Sequence, residues 1–120
     1  MSKTNTHRSR IAIWIPVFVA AVVPATLGAT GTGEKAKMEL GRRVFTQLAQ
    51  PSCGICHALA DAGTKGEVGA KLEELQPDEQ RVLAAVRQGS GVMPRYDDKL
   101  TKEQIDAVAY YVARAARMAR

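Results

Sequence analysis

Two cysteines and a histidine stand close together near the middle of the chain, in the order Cys53-Gly54-Ile55-Cys56-His57. On one helical turn, residues three and four apart share a face, so all three side chains can point at one flat ligand. Cysteines separated by two residues and followed directly by histidine form the attachment sequence of a c-type haem. In such a site both thiols bond covalently to the porphyrin and the imidazole reaches the iron. The motif therefore predicts covalent haem on Cys53 and Cys56, with His57 as an iron ligand.

Three other uses of these residues match the sequence less well. A structural zinc site takes four ligands, whereas the motif supplies three and the remaining histidine, His7, stands near the N-terminus. A thioredoxin-like redox pair would lie beside a βαβ unit, and the sequence shows no alternating strand pattern. A plain disulfide between Cys53 and Cys56 is compatible with an exported protein, but it leaves His57 unexplained.

A methionine in a later loop is the candidate for the opposite face of the iron. Met93 lies 36 residues after His57, with Gly89 and Gly91 before it and Pro94 after it. Glycine lets the backbone approach a flat cofactor, and an axial methionine closes the iron and raises its reduction potential. We therefore predict His57 and Met93 as the two axial ligands. The alternative is an open sixth position, which would suit a haem peroxidase or a gas sensor.

The segments around these residues are typical of helices joined by glycine-rich loops. Apolar spacing and turn residues predict three principal helices, over residues 34–50, 77–88 and 101–116. Pro51 ends the first helix and Gly89 ends the second, while Thr101 and Gln104 form a capping box at the start of the third. With no strand pattern, the predicted fold class is all-α.

The first 29 residues have the pattern of an export signal. Three basic residues precede an apolar run at 11–25, and small residues follow through Ala29. This order is that of a Sec-type signal peptide, with cleavage after Ala25 or Ala29. An uncleaved membrane anchor is the alternative, although the run barely reaches the roughly 20 apolar residues that a spanning helix needs. We predict a signal peptide at 1–29 and a periplasmic domain at 30–120, which meets a membrane only if the leader is uncleaved.

Charge and aromatic content narrow the function further. The formal charge is +5, but without the three basic residues of the leader 14 basic and 12 acidic residues remain, a balance of +2. Nucleic acid is therefore not a predicted partner. Aromatic residues make up 5% of the chain, so a body of about 90 residues lacks core volume that a cofactor could supply. Arg95, Lys99 and Lys102 follow the methionine loop and could steer an acidic partner, although ordinary solvated side chains are the simpler explanation.

Together these features resemble the class I c-type cytochromes, over about residues 38–116. The resemblance rests on the cysteine–histidine motif, the Val92-Met93-Pro94 loop and the terminal helices. It implies a class I cytochrome c fold, with three principal helices and glycine-rich loops around one covalently bound haem c.

The resemblance also assigns roles to residues outside the motif. It implies that Gly41, an otherwise unfavourable residue in a helix, is required where the first and last helices cross. The segment Gly69-Ala70-Lys71-Leu72 is similar to the family's Gly-Pro-x-Leu segment, whose backbone carbonyl orients the proximal imidazole. Ala70 stands where proline is usual and would supply that carbonyl, while Leu72 would pack on the haem.

The function implied by the resemblance is electron transfer. No carboxylate cluster and no second histidine marks an acid–base site after the leader, so we predict a one-electron carrier without catalytic residues. The pattern from Phe45 to Tyr96 looks like the small cytochromes that serve periplasmic sulfite dehydrogenases. The expected partners are therefore redox proteins: a dehydrogenase as donor, and an oxidase or another cytochrome as acceptor.

Overall fold

The structure is a computed structural model, and it describes residues 29–118. Its helices are α1 (Ala29–Arg43), which continues as a π-helical turn at Val44–Leu48, α2 (Cys53–Cys56), α3 (Leu72–Leu75), α4 (Glu79–Gln88) and α5 (Lys102–Met118). Two short strands, β1 (Ala58–Leu59) and β2 (Thr64–Lys65), pair antiparallel. The predicted signal peptide lies outside the described residues. Within the described range, no helix combines the length and apolar character needed to cross a membrane.

The first and last long helices cross at Gly41. A Cβ atom at this position would overlap the carbonyl oxygen of Ala107 and the Cβ of Tyr111, so only glycine permits the approach. Just beyond the crossing, the rings of Phe45 and Tyr111 meet edge to face, with centroids 6.1 Å apart and planes at 63°. The close helix contact at Gly41 is therefore confirmed.

The core lies where α5 packs against α1, α3 and α4. The largest fully buried side chains are Tyr111 and Val108 from α5, Val44 and Phe45 from the end of the first helix, and Leu59 from β1. Burying a large apolar side chain stabilises a fold by about 1.5–3 kcal/mol, so these contacts hold the helices that flank the motif.

Local capping fixes where two helices begin. The Thr101 N–H donates to Gln104 Oε1 at 2.9 Å, and the Gln104 N–H donates to Thr101 Oγ1 at 3.2 Å, which confirms the capping box. At the start of α4, Asp78 Oδ1 accepts from the Arg81 N–H at 2.8 Å. Gly89 ends α4 with φ of 75°, a conformation that favours glycine.

The structure differs from the sequence prediction in its smallest elements. The β1–β2 hairpin lies where a plain loop was expected, and α3 was not predicted at all. Each strand has two residues and α3 has four, too few to show an alternating or a 3.6-residue pattern. The first helix also begins at Ala29 rather than 34, and the last continues to Met118.

Candidate haem-binding site

The cysteine–histidine motif forms a single helical turn. Cys53 begins α2 and Cys56 ends it, and the His57 N–H closes the turn by donating to the Cys53 carbonyl at 2.9 Å. Cys53, Cys56 and His57 are all half-buried. The turn therefore brings the two thiols and the imidazole into one short segment. Cys53 and His57 line the cavity described below and Cys56 is not among its lining residues, so the attachment of haem to both cysteines stays a prediction.

The imidazole of His57 is oriented by the backbone of the segment that precedes α3. Its Nδ1 lies 2.8 Å from the carbonyl oxygen of Ala70. A carbonyl only accepts, so Nδ1 carries the hydrogen and Nε2 is left with the electron pair that can bind a metal. Ala70 therefore supplies the carbonyl despite the missing proline.

Gly69 lets this segment lie against the ring. A Cβ at Gly69 would overlap Cε1 of His57 and lie 2.7 Å from its Nδ1. The Gly69 N–H also donates to the Cys56 carbonyl at 2.7 Å, which ties the segment back to the motif. In the sequence, Gly69 was notable only as part of the Gly-Pro-x-Leu resemblance, whereas in the structure it leaves room for the imidazole.

Cys53 and His57 open onto an apolar cavity beside α4 and α5. It encloses about 540 Å³ of space between protein atoms, counting the part that is open to solvent. Its lining residues are Phe45, Cys53, His57, Leu72, Leu75, Pro77, Arg81, Val82, Ala85, Val86, Met93, Val108 and Val112. The lining is apolar except for four groups: the thiol of Cys53, the imidazole of His57, the thioether of Met93 and the guanidinium of Arg81. Such a cavity suits a flat cofactor with a polar edge.

Met93 reaches this cavity from a tight loop. Ser90 and Met93 exchange two backbone hydrogen bonds, of 3.1 and 2.9 Å, and Gly91 within the loop has φ of 57°. A Cβ at Gly89 would lie 2.7 Å from the Met93 carbonyl oxygen, so the chain also approaches itself closely there. The structure thus brings Met93, His57 and Leu72 to one cavity. Their assignment as ligands and as a packing residue stays a prediction.

Tyr96 connects the methionine loop to the motif. Its hydroxyl donates to the Pro51 carbonyl at 2.7 Å, and its N–H donates to the Val86 carbonyl at 2.8 Å. Burial, followed by the nearby thiols of Cys53 and Cys56, raises the pKa of Tyr96 to about 12. From the sequence, Tyr96 served only as the end of the segment that resembles small cytochromes, although its place three residues after Met93 was a usable signal.

Cys53 lacks the properties of a redox-active thiol. Burial raises the pKa of Cys53 to about 11, whereas thioredoxin-like exchange depends on a thiol with a lowered pKa. Across residues 29–118, no three His, Cys, Asp or Glu side chains are grouped so that they could hold a metal ion by themselves. The donor set fits a haem, whose porphyrin supplies the other four iron ligands, better than it fits a zinc site.

The three cations after the methionine loop all have local partners. Arg95 and Lys102 form ion pairs with Asp97 and Asp106, and Lys99 lies over an aromatic ring. These contacts favour the interpretation of Arg95, Lys99 and Lys102 as ordinary solvated side chains over a role in steering an acidic partner.

This arrangement defines a c-type cytochrome domain: a covalent-attachment turn, an imidazole held by a backbone carbonyl, and a methionine loop across an apolar cavity. Residues 36–112 match the family described as cytochrome c oxidase, cbb3-type, subunit III, and the chain belongs to this family of cytochrome c domains. Membership implies covalently bound haem c and electron transfer, and the resemblance to the class I c-type cytochromes is confirmed.

A solved relative supports the same assignment. The chain is similar to the c-type cytochrome SorU from Sinorhizobium meliloti, with 49% sequence identity and a TM-score of 0.66. The similarity covers 68% of this chain and 93% of SorU. No curated protein matches this chain.

Proposed function

We propose that the protein is a periplasmic one-electron carrier with a single haem c. Cys53 and Cys56 would hold the haem through thioether bonds, and His57 and Met93 would ligate its iron. Bound there, the iron supplies a reversible couple between Fe(III) and Fe(II). The observation that carries this proposal is that His57 and Met93 line the same apolar cavity, while Ala70 occupies Nδ1 of the imidazole.

The apolar side chains around the cavity suit electron transfer better than catalysis, because they keep water away from the proposed iron ligands. Leu72, Val86 and Val108 are buried and exclude water from the ligand side chains. An apolar surrounding disfavours charge, so it favours the less positive ferrous state and raises the reduction potential. A loop tied by backbone hydrogen bonds and by Tyr96 can keep its methionine in place in both oxidation states, which keeps structural change small.

The test compares Met93→Ala with Met118→Ala, because Met118 is 57% exposed and lies at the end of α5. We expect the ferric wild type and Met118→Ala to show the weak near-infrared band of methionine ligation. Met93→Ala should lose this band, bind cyanide or CO rapidly and have a lower reduction potential. A wild type that lacks the band and binds these ligands rapidly would instead favour the peroxidase or gas-sensor function.

The attachment of the haem is tested separately. Protein expressed with a c-type maturation system should keep its haem after denaturation, and Cys53→Ala should weaken that retention. If denatured wild type carries no bound haem, the carrier function is wrong whatever the axial ligands are.

We further propose a periplasmic sulfite dehydrogenase as the electron donor and an oxidase or another cytochrome as the acceptor. The resemblance of the segment from Phe45 to Tyr96 to small cytochromes that serve such enzymes supports this donor. The test mixes the ferric protein with a purified sulfite dehydrogenase and follows its reduction after sulfite is added. Reduction no faster than in a mixture without the enzyme would contradict the proposed donor.

Exposed apolar side chains beside the site suit contact with that donor. Ile55 within the motif, Val68 next to Gly69, and Val92 next to Met93 are 65%, 68% and 86% exposed. Exposed apolar side chains mark a protein interaction site where they form one contiguous patch. Their places in the chain, inside or next to the segments that hold the proposed ligands, would let a partner approach the haem closely.

Periplasmic location and cleavage of the leader are part of the proposal. Cell fractionation and N-terminal sequencing of the haem-containing protein test both. A mature N-terminus after Ala25 or Ala29 is expected, whereas an intact N-terminus in the membrane fraction would favour the anchor.

A further inference from the structure

The polar atoms of His57 are held by three different segments of the chain. The backbone N–H donates to the Cys53 carbonyl at 2.9 Å, and Nδ1 donates to the Ala70 carbonyl at 2.8 Å. The carbonyl oxygen of His57 accepts from the hydroxyl of Thr64 at 2.9 Å. The remaining polar atom is Nε2, through which the imidazole can bind a metal. The backbone of His57 is therefore fixed on both sides, and its ring is fixed at one nitrogen.

Of these three partners, Thr64 is the one that acts through its side chain. Cys53 and Ala70 each contribute a backbone carbonyl, which is still present after any substitution at those positions. The hydroxyl of Thr64 is different, because a substitution can remove it. The bond to the His57 carbonyl is thus the part of this arrangement that depends on the type of one residue.

The hydroxyl of Thr64 also holds the chain that leaves His57. The Leu59 N–H donates to Thr64 Oγ1 at 3.1 Å, and Leu59 and Thr64 are paired across the two strands. A hydroxyl has one hydrogen and two acceptor positions, so it can donate to His57 while it accepts from Leu59. One side chain of β2 therefore connects the two backbone groups that flank Ala58, at the start of β1.

Close packing keeps β2 in place against the cysteine–histidine motif. A Cβ at Gly54 would overlap Cγ2 of Thr64, so the methyl group of the threonine lies directly on α2. A Cβ at Gly66 would overlap the carbonyl carbon of Cys56 and lie 2.6 Å from the backbone nitrogen of His57. Two glycines thus allow the segment from Thr64 to Gly66 to lie against the motif, which holds the threonine hydroxyl at the His57 carbonyl.

We infer that Thr64 is a positioning residue, whose hydroxyl sets the orientation of the His57 imidazole toward the haem iron. The inference rests on the proposed haem site. With the carbonyl held by Thr64 and Nδ1 held by Ala70, the residue is fixed at its backbone and at its ring. Partners behind a metal ligand fix the plane of its ring, and here they direct the electron pair of Nε2 into the cavity.

The test measures the paramagnetic NMR shifts of the haem methyl groups in the ferric protein, because these shifts depend on the plane of the axial imidazole. Thr64→Val replaces the hydroxyl by a methyl group of similar size and suits a strand, so it should displace or broaden the signals. Thr46→Val is the matched control, since Thr46 also donates to a backbone carbonyl at 2.9 Å, that of Arg42. The displacements in Thr64→Val should be several-fold larger than those in Thr46→Val. Displacements of equal size would overturn the inference.

Two smaller substitutions separate the hydroxyl of Thr64 from the methyl group that packs on Gly54. Thr64→Ser and Thr64→Ala both lack this methyl group, but only serine keeps the hydroxyl. Thr64→Ser should return the haem methyl signals close to their wild-type positions, whereas Thr64→Ala should show the displaced signals. This pair also provides the test if Thr64→Val does not load haem.

The outcomes distinguish the inference from the proposed function. Identical signals in Thr64→Ser and Thr64→Ala would show that the hydroxyl does not position the imidazole, and the carrier function would stand. A loss of stability in Thr64→Ala with wild-type signals would give the hydroxyl a structural role only, which also overturns the inference. Absence of covalent haem from the wild type would instead contradict the proposed function itself.

Discussion

His57 and Ala70 are joined by a hydrogen bond of 2.8 Å between the imidazole Nδ1 and the backbone carbonyl oxygen. Related cytochromes usually have proline at this position, yet the bond survives here because the acceptor belongs to the main chain. Proline would add rigidity and not the bond itself. Between them, Gly69 gives the space for the imidazole and Ala70 gives the acceptor.

This division of roles predicts opposite effects for two neighbouring substitutions. Ala70→Pro should leave the haem spectrum unchanged and stabilise the protein by about 0.4–1 kcal/mol, because it restricts the unfolded chain and the Ala70 N–H makes no backbone hydrogen bond in the described structure. Gly69→Ala should place a Cβ against the imidazole and reduce the fraction of protein that keeps His57 on the iron. Haem content and denaturant unfolding measure both. A Gly69→Ala protein with wild-type spectrum and stability would contradict the packing argument.

The crossing of α1 and α5 predicts a large cost for one added methyl group. Gly41→Ala should destabilise the protein by about 1–3 kcal/mol, the usual range for overpacking a tight contact, because the new Cβ overlaps Ala107 and Tyr111. Gly33→Ala is the matched control on the same helix, since a Cβ there meets nothing within 4 Å. That substitution should be neutral or stabilising by up to about 1 kcal/mol through helix propensity. Similar unfolding midpoints for the two variants would show that the helices can move apart cheaply.

The tyrosine at the same crossing predicts a loss of stability at high pH. Tyr111 is 1% exposed and donates to Asp61 Oδ2 at 2.6 Å. Burial, reinforced by the bond to the negatively charged Asp61, raises the pKa of Tyr111 well above its usual range. In the unfolded chain tyrosine ionises near pH 10, whereas in the folded protein Tyr111 ionises only at a higher pH. The free energy of unfolding should therefore be constant below about pH 10 with respect to this group. It should decrease as the pH rises from there toward the pKa of the folded state.

Tyr111→Phe tests this pH dependence. Between about pH 10 and 12 it should reduce the slope of unfolding free energy against pH, by up to about 1.4 kcal/mol per pH unit for one proton. Asp61→Asn keeps an acceptor but removes the charge, so it should give an intermediate slope. Chemical unfolding of the haem-loaded protein at several pH values provides the measurement. If the three slopes coincide, Tyr111 is not the group responsible.

The sequence alone identified short motifs more readily than contacts between distant segments. The cysteine–histidine motif, the methionine loop and the capping box are each defined by residue types within a few positions of one another in the chain. Such local patterns can be recognised in the sequence without knowledge of the fold. Tyr96 is different, because its role depends on a contact between segments far apart in the chain. Tyr96 meets Pro51, which is 45 residues away. Strands of two residues are likewise below the length at which a pattern can be read.

The exposed apolar residue beside Met93 predicts a specific defect in electron transfer. Val92 is 86% exposed, so Val92→Asp should leave the haem spectrum and stability nearly unchanged. With the proposed dehydrogenase as donor, it should raise the KM for the cytochrome severalfold, because a charge is desolvated where the partner binds. Met118→Asp, on another exposed apolar residue, serves as the control and should leave the KM unchanged. An unaltered KM in Val92→Asp would place the partner elsewhere.

We expect the hydrogen bond from Tyr96 to Pro51 to hold the methionine loop in place. Tyr96→Phe keeps the ring but removes the hydroxyl that donates to Pro51, so the carbonyl loses its partner. Because Pro51 is exposed and the bond is only part-buried, its loss should cost about 0.5–1.5 kcal/mol, the usual net contribution of one hydrogen bond. Because the bond joins the loop of Met93 to the segment before Cys53, part of this cost should appear as easier detachment of the methionine. The near-infrared band of the ferric protein should then disappear at a lower temperature than global unfolding. Loss of the band and of helical signal at one temperature, as in the wild type, would mean that Tyr96 stabilises the whole fold and not the loop in particular.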